Sequence, residues 1–393
     1  MISVEKSKLA NSFLVLSLVS ISPIFPFFGL KGVFFYILFI SLYLILNFEQ
    51  IIFRKIELVI IFFFSFLSAI GSLLLSDLNV FFSSIMFTMT LMVVSSMSEK
   101  NRINTIDLMS IFLQIILVMA IISFIYTLLG GEPIFSITNP DGRENHFLLT
   151  SFSNSFWSGF SRPSGIFDEP GTLSFFVCSI CALRQLFSLE EKKTIYLLLM
   201  GLITFSLAHI IFSFFLFFSF SKKKFFLKRL LFLIVTMTSA IIVSGNFSIF
   251  YNVFLIRFEI EEGLRFLGDN RSENFINALY LLINYPLSIF YGIEEYIPSE
   301  SDYYIQVFGK YGEIGGNPLN LLLTSGIFIW SIYAILVLTL MSSFHLKSKF
   351  WAAFAFALLL LQRDYIFVIG YSLLTSLIFI KVLNSFKFIE NAK

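Results

Sequence analysis

Ser161-Arg162-Pro163-Ser164-Gly165-Ile166-Phe167-Asp168-Glu169-Pro170-Gly171-Thr172-Leu173-Ser174-Phe175-Phe176 is the stretch from which the rest of the chain can be read. It sets Arg162, Asp168 and Glu169 among two prolines and two glycines, then runs without a linker into apolar sequence. Only 13% of the chain is charged, so the cluster stands out. Pro163 and Pro170 fix φ and remove two backbone donors, while Gly165 and Gly171 admit conformations closed to other residues, so the segment reads as a defined turn. The apolar continuation predicts a helix from about Thr172 into a membrane. Its unpaired N–H groups and positive dipole end, beside Arg162, would form a seat for phosphate. Asp168 and Glu169 also suit a plain helix cap, and both readings stay open.

Outward from this block, composition sets the class. With 57% hydrophobic and 18% aromatic residues, the chain has more apolar side chains than one soluble core can hide. It reads as an all-α polytopic membrane protein, a single integral membrane domain over residues 1–393. The net charge of +2 suggests no nucleic-acid partner. Before the opening block, apolar runs cover Leu9–Phe28, Val33–Phe48, Leu58–Leu75, Val80–Met97 and Ile106–Leu129. The connections at Arg54 and Lys55 and at Lys100 and Arg102 are basic, which puts the N-terminus in the cytoplasm. The first run reads as a retained span and not as a cleaved signal. Residues 130–171, rich in Gly, Asn, Ser and Pro, then form a first large external loop.

After the block, Thr172–Phe187 returns inward. Ile195–Phe220 is too long for one span and too short for two full ones. The basic cluster Lys222, Lys223, Lys224, Lys228 and Arg229 stays inside if this run is a hairpin of two short helices meeting near Ser206 to His209. Leu230–Phe250 leads out to a second large external loop, residues 251–316, which is acidic overall. In it, Phe275, Ala278, Leu279, Leu282 and Ile283 recur at helical spacing, an amphipathic helix ending near Pro286. Pro318–Met341 returns inward, and Phe350–Ile380 reads as a second short hairpin with Gln362, Arg363 and Asp364 at its tip. The count is about twelve membrane segments with both termini cytoplasmic.

Three blocks carry a family resemblance: Arg162 to Pro170 closing the first loop, Arg271 with Pro286-Leu287 and Gly292 in the second, and Asn317-Pro318-Leu319-Asn320 entering a run that contains Gly326. In these blocks and in layout the chain resembles the Wzy family of bacterial O-antigen polymerases, within the group that includes the O-antigen ligases. Ligases of that group carry a histidine just before the Asn of the third block, where this chain has Gly316. The resemblance implies a glycosyltransferase on the periplasmic face of the inner membrane. Its donor and acceptor would be undecaprenyl-pyrophosphate-linked oligosaccharides, with membrane lipid around it and a chain-length regulator as a further partner.

The residues agree with that expectation on several points. Arg162 and Arg271 suit a departing pyrophosphate, because guanidinium groups stay charged and bind phosphate bidentately. Glu169 can take the acceptor proton, with Asp168 and Asn317 in support. Arg257, Arg265, His209 and Arg363 are candidates for substrate contact. For each a structural role stands alongside: Arg257 and Arg265 against neighbouring acids, His209 as a hydrogen-bonded interior residue, Arg363 paired with Asp364. Cys178 and Cys181 read as packing. No Asp-X-Asp pair occurs, so no metal or other cofactor is expected. A ligase remains an alternative, and so does a lipid-linked oligosaccharide flippase or other transporter.

Overall fold

In the computed structural model, residues 2–27, 31–47, 54–75, 78–138, 142–261, 265–266, 271–293, 296–297, 317–363 and 365–390 are described. They are mostly helical, at 76%. Apolar sequence gives α1 (Ile2–Ser17), α2 (Gly32–Asn47), α3 (Lys55–Leu75), α4 (Leu78–Ser96) and α5 (Glu99–Leu128). At about 1.5 Å per residue, α5 is roughly 45 Å long and outreaches the hydrocarbon layer. Ser98 caps it by accepting the Asn101 N–H at 3.2 Å, and Glu99 sits at its positive end. The first large loop then folds into β1 (Phe135–Thr138), β2 (Glu144–Leu148), β3 (Ser151–Ser153), β4 (Phe156–Trp157) and β5 (Phe160–Ser161). Further helices are α6 (Pro170–Leu186), α7 (Glu191–Met200), α8 (Leu207–Phe217), α9 (Lys223–Val243) and α10 (Phe247–Val253). A two-stranded ribbon, Ile260–Glu261 with Arg265–Phe266, precedes α11 (Arg271–Asn284), α12 (Ser288–Tyr291), α13 (Asn320–Met341), α14 (Phe350–Gln362) and α15 (Tyr371–Glu390).

The expected twelve membrane segments are not what the chain forms. Among the described residues five stretches are long and apolar enough to cross a membrane: α3, α5, α9, α13 and Phe344–Gln362. Shorter apolar helices lie at Lys8–Ile21, Gly32–Asn47, Phe81–Ser96, Leu207–Phe217, Asn274–Asn284 and Tyr371–Phe386, and α6, expected to enter the membrane, belongs to neither group. Apolar composition does not guarantee helical continuity, and several runs break. Leu9–Phe28 passes from helix into a 3₁₀ turn at Leu18–Ile21. The run after Glu190 gives way to a 3₁₀ turn at Gly201–Thr204 and to Phe205 at φ 47°, before α8 begins. The last run breaks between Gln362 and Tyr371. The latter two breaks fall where the sequence predicts hairpin tips, and α11 lies where it predicts an amphipathic helix.

The chain packs as two compact units. The first comprises Met1–Glu49, Ser98–Glu259 and Phe344–Phe356; the second comprises Gln50–Met97, Ile260–Ser343 and Ala357–Lys393. In the first unit α1 packs on α2 and α5, and α6 packs on α5, α7 and α8. Phe205 joins α5 to the loop and to α10 through Phe124, Phe160 and Phe250 at 5.4–5.6 Å between ring centroids. In the second unit α3 packs on α4 and α13, and α4 on α15, with Phe64 between Phe87 and Phe379. Gly326 interrupts α13 at φ 70°, and a Cβ there would sit 3.1 Å from the Phe290 carbonyl oxygen, so the close passage of α12 requires glycine.

Candidate functional site at the start of α6

The opening block lies in the first unit, and its backbone is stitched to the small sheet. In that antiparallel sheet, β2 pairs with β1 (Ile137 opposite Asn145) and with β3 (Phe147 opposite Phe152). Phe152 then forms a bridge to Gly165, donating its N–H to the Gly165 carbonyl at 2.7 Å and accepting the Ser164 N–H at 2.7 Å. Side chains complete the seam. Ser151 Oγ accepts the Gly165 N–H at 2.8 Å, Ser153 Oγ donates to the Arg162 carbonyl at 2.7 Å, and Ser164 Oγ reaches the Phe152 and Phe167 carbonyls. Gly165 has φ +67°, and a Cβ there would sit 2.3 Å from Ile116 Cγ2 on α5. The defined turn expected from the prolines and glycines is present, and serine hydroxyls paired with backbone pin it to the sheet.

The turn delivers Asp168 and Glu169 to the start of α6, with Pro170 as its first residue. Glu169 occupies the capping position but makes no side-chain cap hydrogen bond; its carbonyl oxygen accepts the N–H groups of Thr172 and Leu173. Its carboxylate faces Arg143 instead, with Oε2 at 3.6 Å from Nη1. The pair is partly open to solvent, with side chains 35% and 20% exposed for Arg143 and Glu169. Asp168 accepts a hydrogen bond from Thr172 Oγ1 at 3.1 Å. Burial pushes the Asp168 carboxyl above its ordinary pKa, the adjacent Glu169 charge adds to this, and Thr172 and Arg143 oppose it. The site thus holds two adjacent carboxylates with different environments and an arginine beside them.

No family model, curated protein or solved structure matches this chain. What it can do must come from these side chains.

Arg143 is the residue the sequence reading missed. The only signal was its place in the same loop, just before Glu144 at the start of β2. Arg162 is half-buried and donates from Nε to the Thr204 carbonyl at 3.1 Å, which ties the turn to the break between α7 and α8. His209 is fully buried beside that break. Nε2 donates to the Leu198 carbonyl at 2.8 Å, and Nδ1 lies 3.3 Å from Ser174 Oγ and 3.4 Å from Cys178 Sγ. A carbonyl can only accept, so Nε2 carries a proton. His209 thereby fastens α6, α7 and α8 together, the interior role weighed for it in the sequence.

Of the other candidates, Arg257 lies in the first unit and the rest in the second. Arg257 belongs to the 3₁₀ turn Leu255–Phe258 of the first unit, Arg265 to the short ribbon and Arg271 to the first turn of α11; the side chains of all three lie outside the described residues. Asn317 is buried, and its Oδ1 accepts the N–H groups of Leu319 and Asn320 at 2.9 and 3.1 Å, so it organises the entry to α13. Arg363 lies 5.5 Å over the Tyr365 ring; its expected partner Asp364, like Glu294, Glu295 and residues 298–316, is outside the described residues.

A second arginine went unremarked in the sequence. Arg184, in the last turn of α6, is 1% exposed and satisfied on every side. Nη1 donates to Asp107 Oδ1 at 2.9 Å and Ser110 Oγ at 3.0 Å, Nε to Thr194 Oγ1 at 3.1 Å, and Nη2 to the Glu190 carbonyl at 3.3 Å. It clamps α5, α6 and the start of α7.

Proposed function

We propose that this chain is a glycosyltransferase of the O-antigen polymerase kind, joining polyprenyl-pyrophosphate-linked oligosaccharide repeat units at the periplasmic face of the bacterial inner membrane. The observation that supports it most is the Glu169–Arg143 pair beside Asp168, held in a stitched turn at the mouth of an apolar helix. A lipid-linked donor presents its reacting carbon at the membrane edge, which is where such a turn would meet it. The acceptor hydroxyl attacks the anomeric carbon while the bond from that carbon to the pyrophosphate oxygen breaks. The hydroxyl proton passes to Glu169, and the departing negative charge is met by Arg143 and Arg162. Arg143 couples the two halves of the step: as it turns toward pyrophosphate it ceases to hold the Glu169 carboxylate, whose proton affinity rises. The orientation belongs to this reading, with both termini cytoplasmic and residues 130–171 and 251–316 outside.

Glu169→Gln tests the chemistry, because glutamine keeps size and hydrogen bonding but accepts no proton. Cells making the variant at ordinary abundance are expected to carry surface lipid with one repeat unit and no ladder; a full ladder removes Glu169 from the role. If a deletion strain loses even the single-unit species, the chain is a ligase or transporter instead. A cysteine at Lys223 tests the orientation, since uptake of an impermeant label from outside would reverse it.

A further inference from the structure

The start of α9 carries more positive charge than its surroundings neutralise. Lys222, Lys223, Lys224, Lys228 and Arg229 are all exposed and fall within its capping residue and first two turns, and no acidic residue lies in the first turn. One carboxylate that reaches this end, Glu191, is engaged elsewhere: Oε2 accepts from Ser221 Oγ and Oε1 from the Lys222 N–H, each at 2.6 Å. None of the five cations forms an ion pair among the described residues. Two costs follow. Cations at a helix N-terminus oppose the macrodipole, and Lys224 and Lys228, four apart, repel each other on one face.

Two of the cations are nonetheless held in place. Arg229 lies over the rings of Tyr196 and Phe225 at 5.6 and 5.4 Å, and Lys223 over Phe217 and Phe218 at 5.6 and 6.0 Å. Beyond them α9 is the least covered of the five long apolar stretches: 11% of its apolar window is buried, against 28% to 50% for the others. Leu231, Phe232 and Val235 stand exposed one turn past the charges. At about 1.5 Å per residue the charged segment rises roughly 9 Å, close to the depth of a headgroup layer, before the apolar face begins.

We propose that Lys222–Arg229 forms a collar that binds anionic phospholipid headgroups, the exposed face of α9 lying against the acyl chains of the same lipids. The charge that the fold leaves uncompensated is complemented by headgroup phosphates, and the aromatic rings keep Lys223 and Arg229 at headgroup depth. The inference is independent of the glycosyltransferase reading.

The test uses the full chain purified in an uncharged detergent, with phosphatidylglycerol, phosphatidylcholine or inorganic phosphate added. Melting temperature and lipid retained in native mass spectrometry are the readouts. Phosphatidylglycerol is expected to raise the melting temperature and stay bound, and the Lys224→Gln, Lys228→Gln double variant is expected to lose most of that shift while melting like wild type in phosphatidylcholine. An equal shift from phosphatidylcholine, an equal shift from inorganic phosphate, or an undiminished shift in the variant each overturns the proposal. Should the variant fail to fold, wild type at high ionic strength decides: loss of the phosphatidylglycerol shift supports the collar, and persistence overturns it.

Discussion

The two ends of α6 each hold an arginine and a carboxylate, and they are built differently. At the C-terminal end Arg184 is buried, and its nitrogens are shared among Asp107, Ser110, Thr194 and the Glu190 carbonyl at 2.9–3.3 Å. Its position in the last turn also favours a cation. At the N-terminal end Arg143 meets Glu169 at 3.6 Å with both side chains partly exposed. The first arrangement resists exchange, because removing the arginine strands several interior groups; the second leaves both side chains in reach of solvent. What separates the two arginines is burial and not charge.

Substitution can break this contrast. Arg184→Ala carries the largest expected effect: it should cost about 3 kcal/mol, below the top of the buried-pair range because Asp107 is 47% exposed and regains water. Thermal unfolding in detergent and protein abundance report it. On the proposed function, Arg143→Ala should leave abundance unchanged and slow chain extension about a hundred-fold, as expected for one lost contact to developing charge. Arg143→Lys should recover only part of this, lacking the planar fork. If Arg143→Ala instead melts like Arg184→Ala, the two ends are alike and the contrast fails.

Gly165→Ala sharpens it by loosening the turn without touching any charge. Strain at φ +67° and the collision with Ile116 should cost about 2 kcal/mol in unfolding measurements, and extension should fall with it. The smallest effect is a pH dependence at Asp168. Because its folded pKa is raised, its contribution to stability is complete below the ordinary carboxylate value and is lost as pH rises through the folded one. The wild type's melting temperature should therefore fall relative to that of Asp168→Asn on going from acid to neutral pH. Parallel curves would show that Asp168 ionises as an ordinary surface carboxylate.

Much of the local structure was legible. The proline and glycine spacing around Asp168 marked a rigid turn, the periodicity after Arg271 marked a helix, and the polar interruptions near Ser206 and Gln362 marked breaks. The number of crossings was not legible, because hydropathy reports composition over a window, whereas a single left-handed residue such as Phe205 or a 3₁₀ turn such as Leu18–Ile21 is enough to end a helix. The sheet in residues 130–171 was missed for a related reason: strands of two to five residues are too short to show alternation.

The sequence by itself determined the helical, apolar class of this protein, the turn that leads into α6 and the presence of two adjacent carboxylates there, since these depend on residues close along the chain. The tertiary structure alone decided which arginine meets Glu169, that Arg184 is spent in the interior, and that His209 joins three helices. Those pairings link residues 26, 77 and 31 positions apart. Their geometry depends on how the sheet docks on α5 and how α6 packs among α5, α7 and α8, which no local spacing encodes.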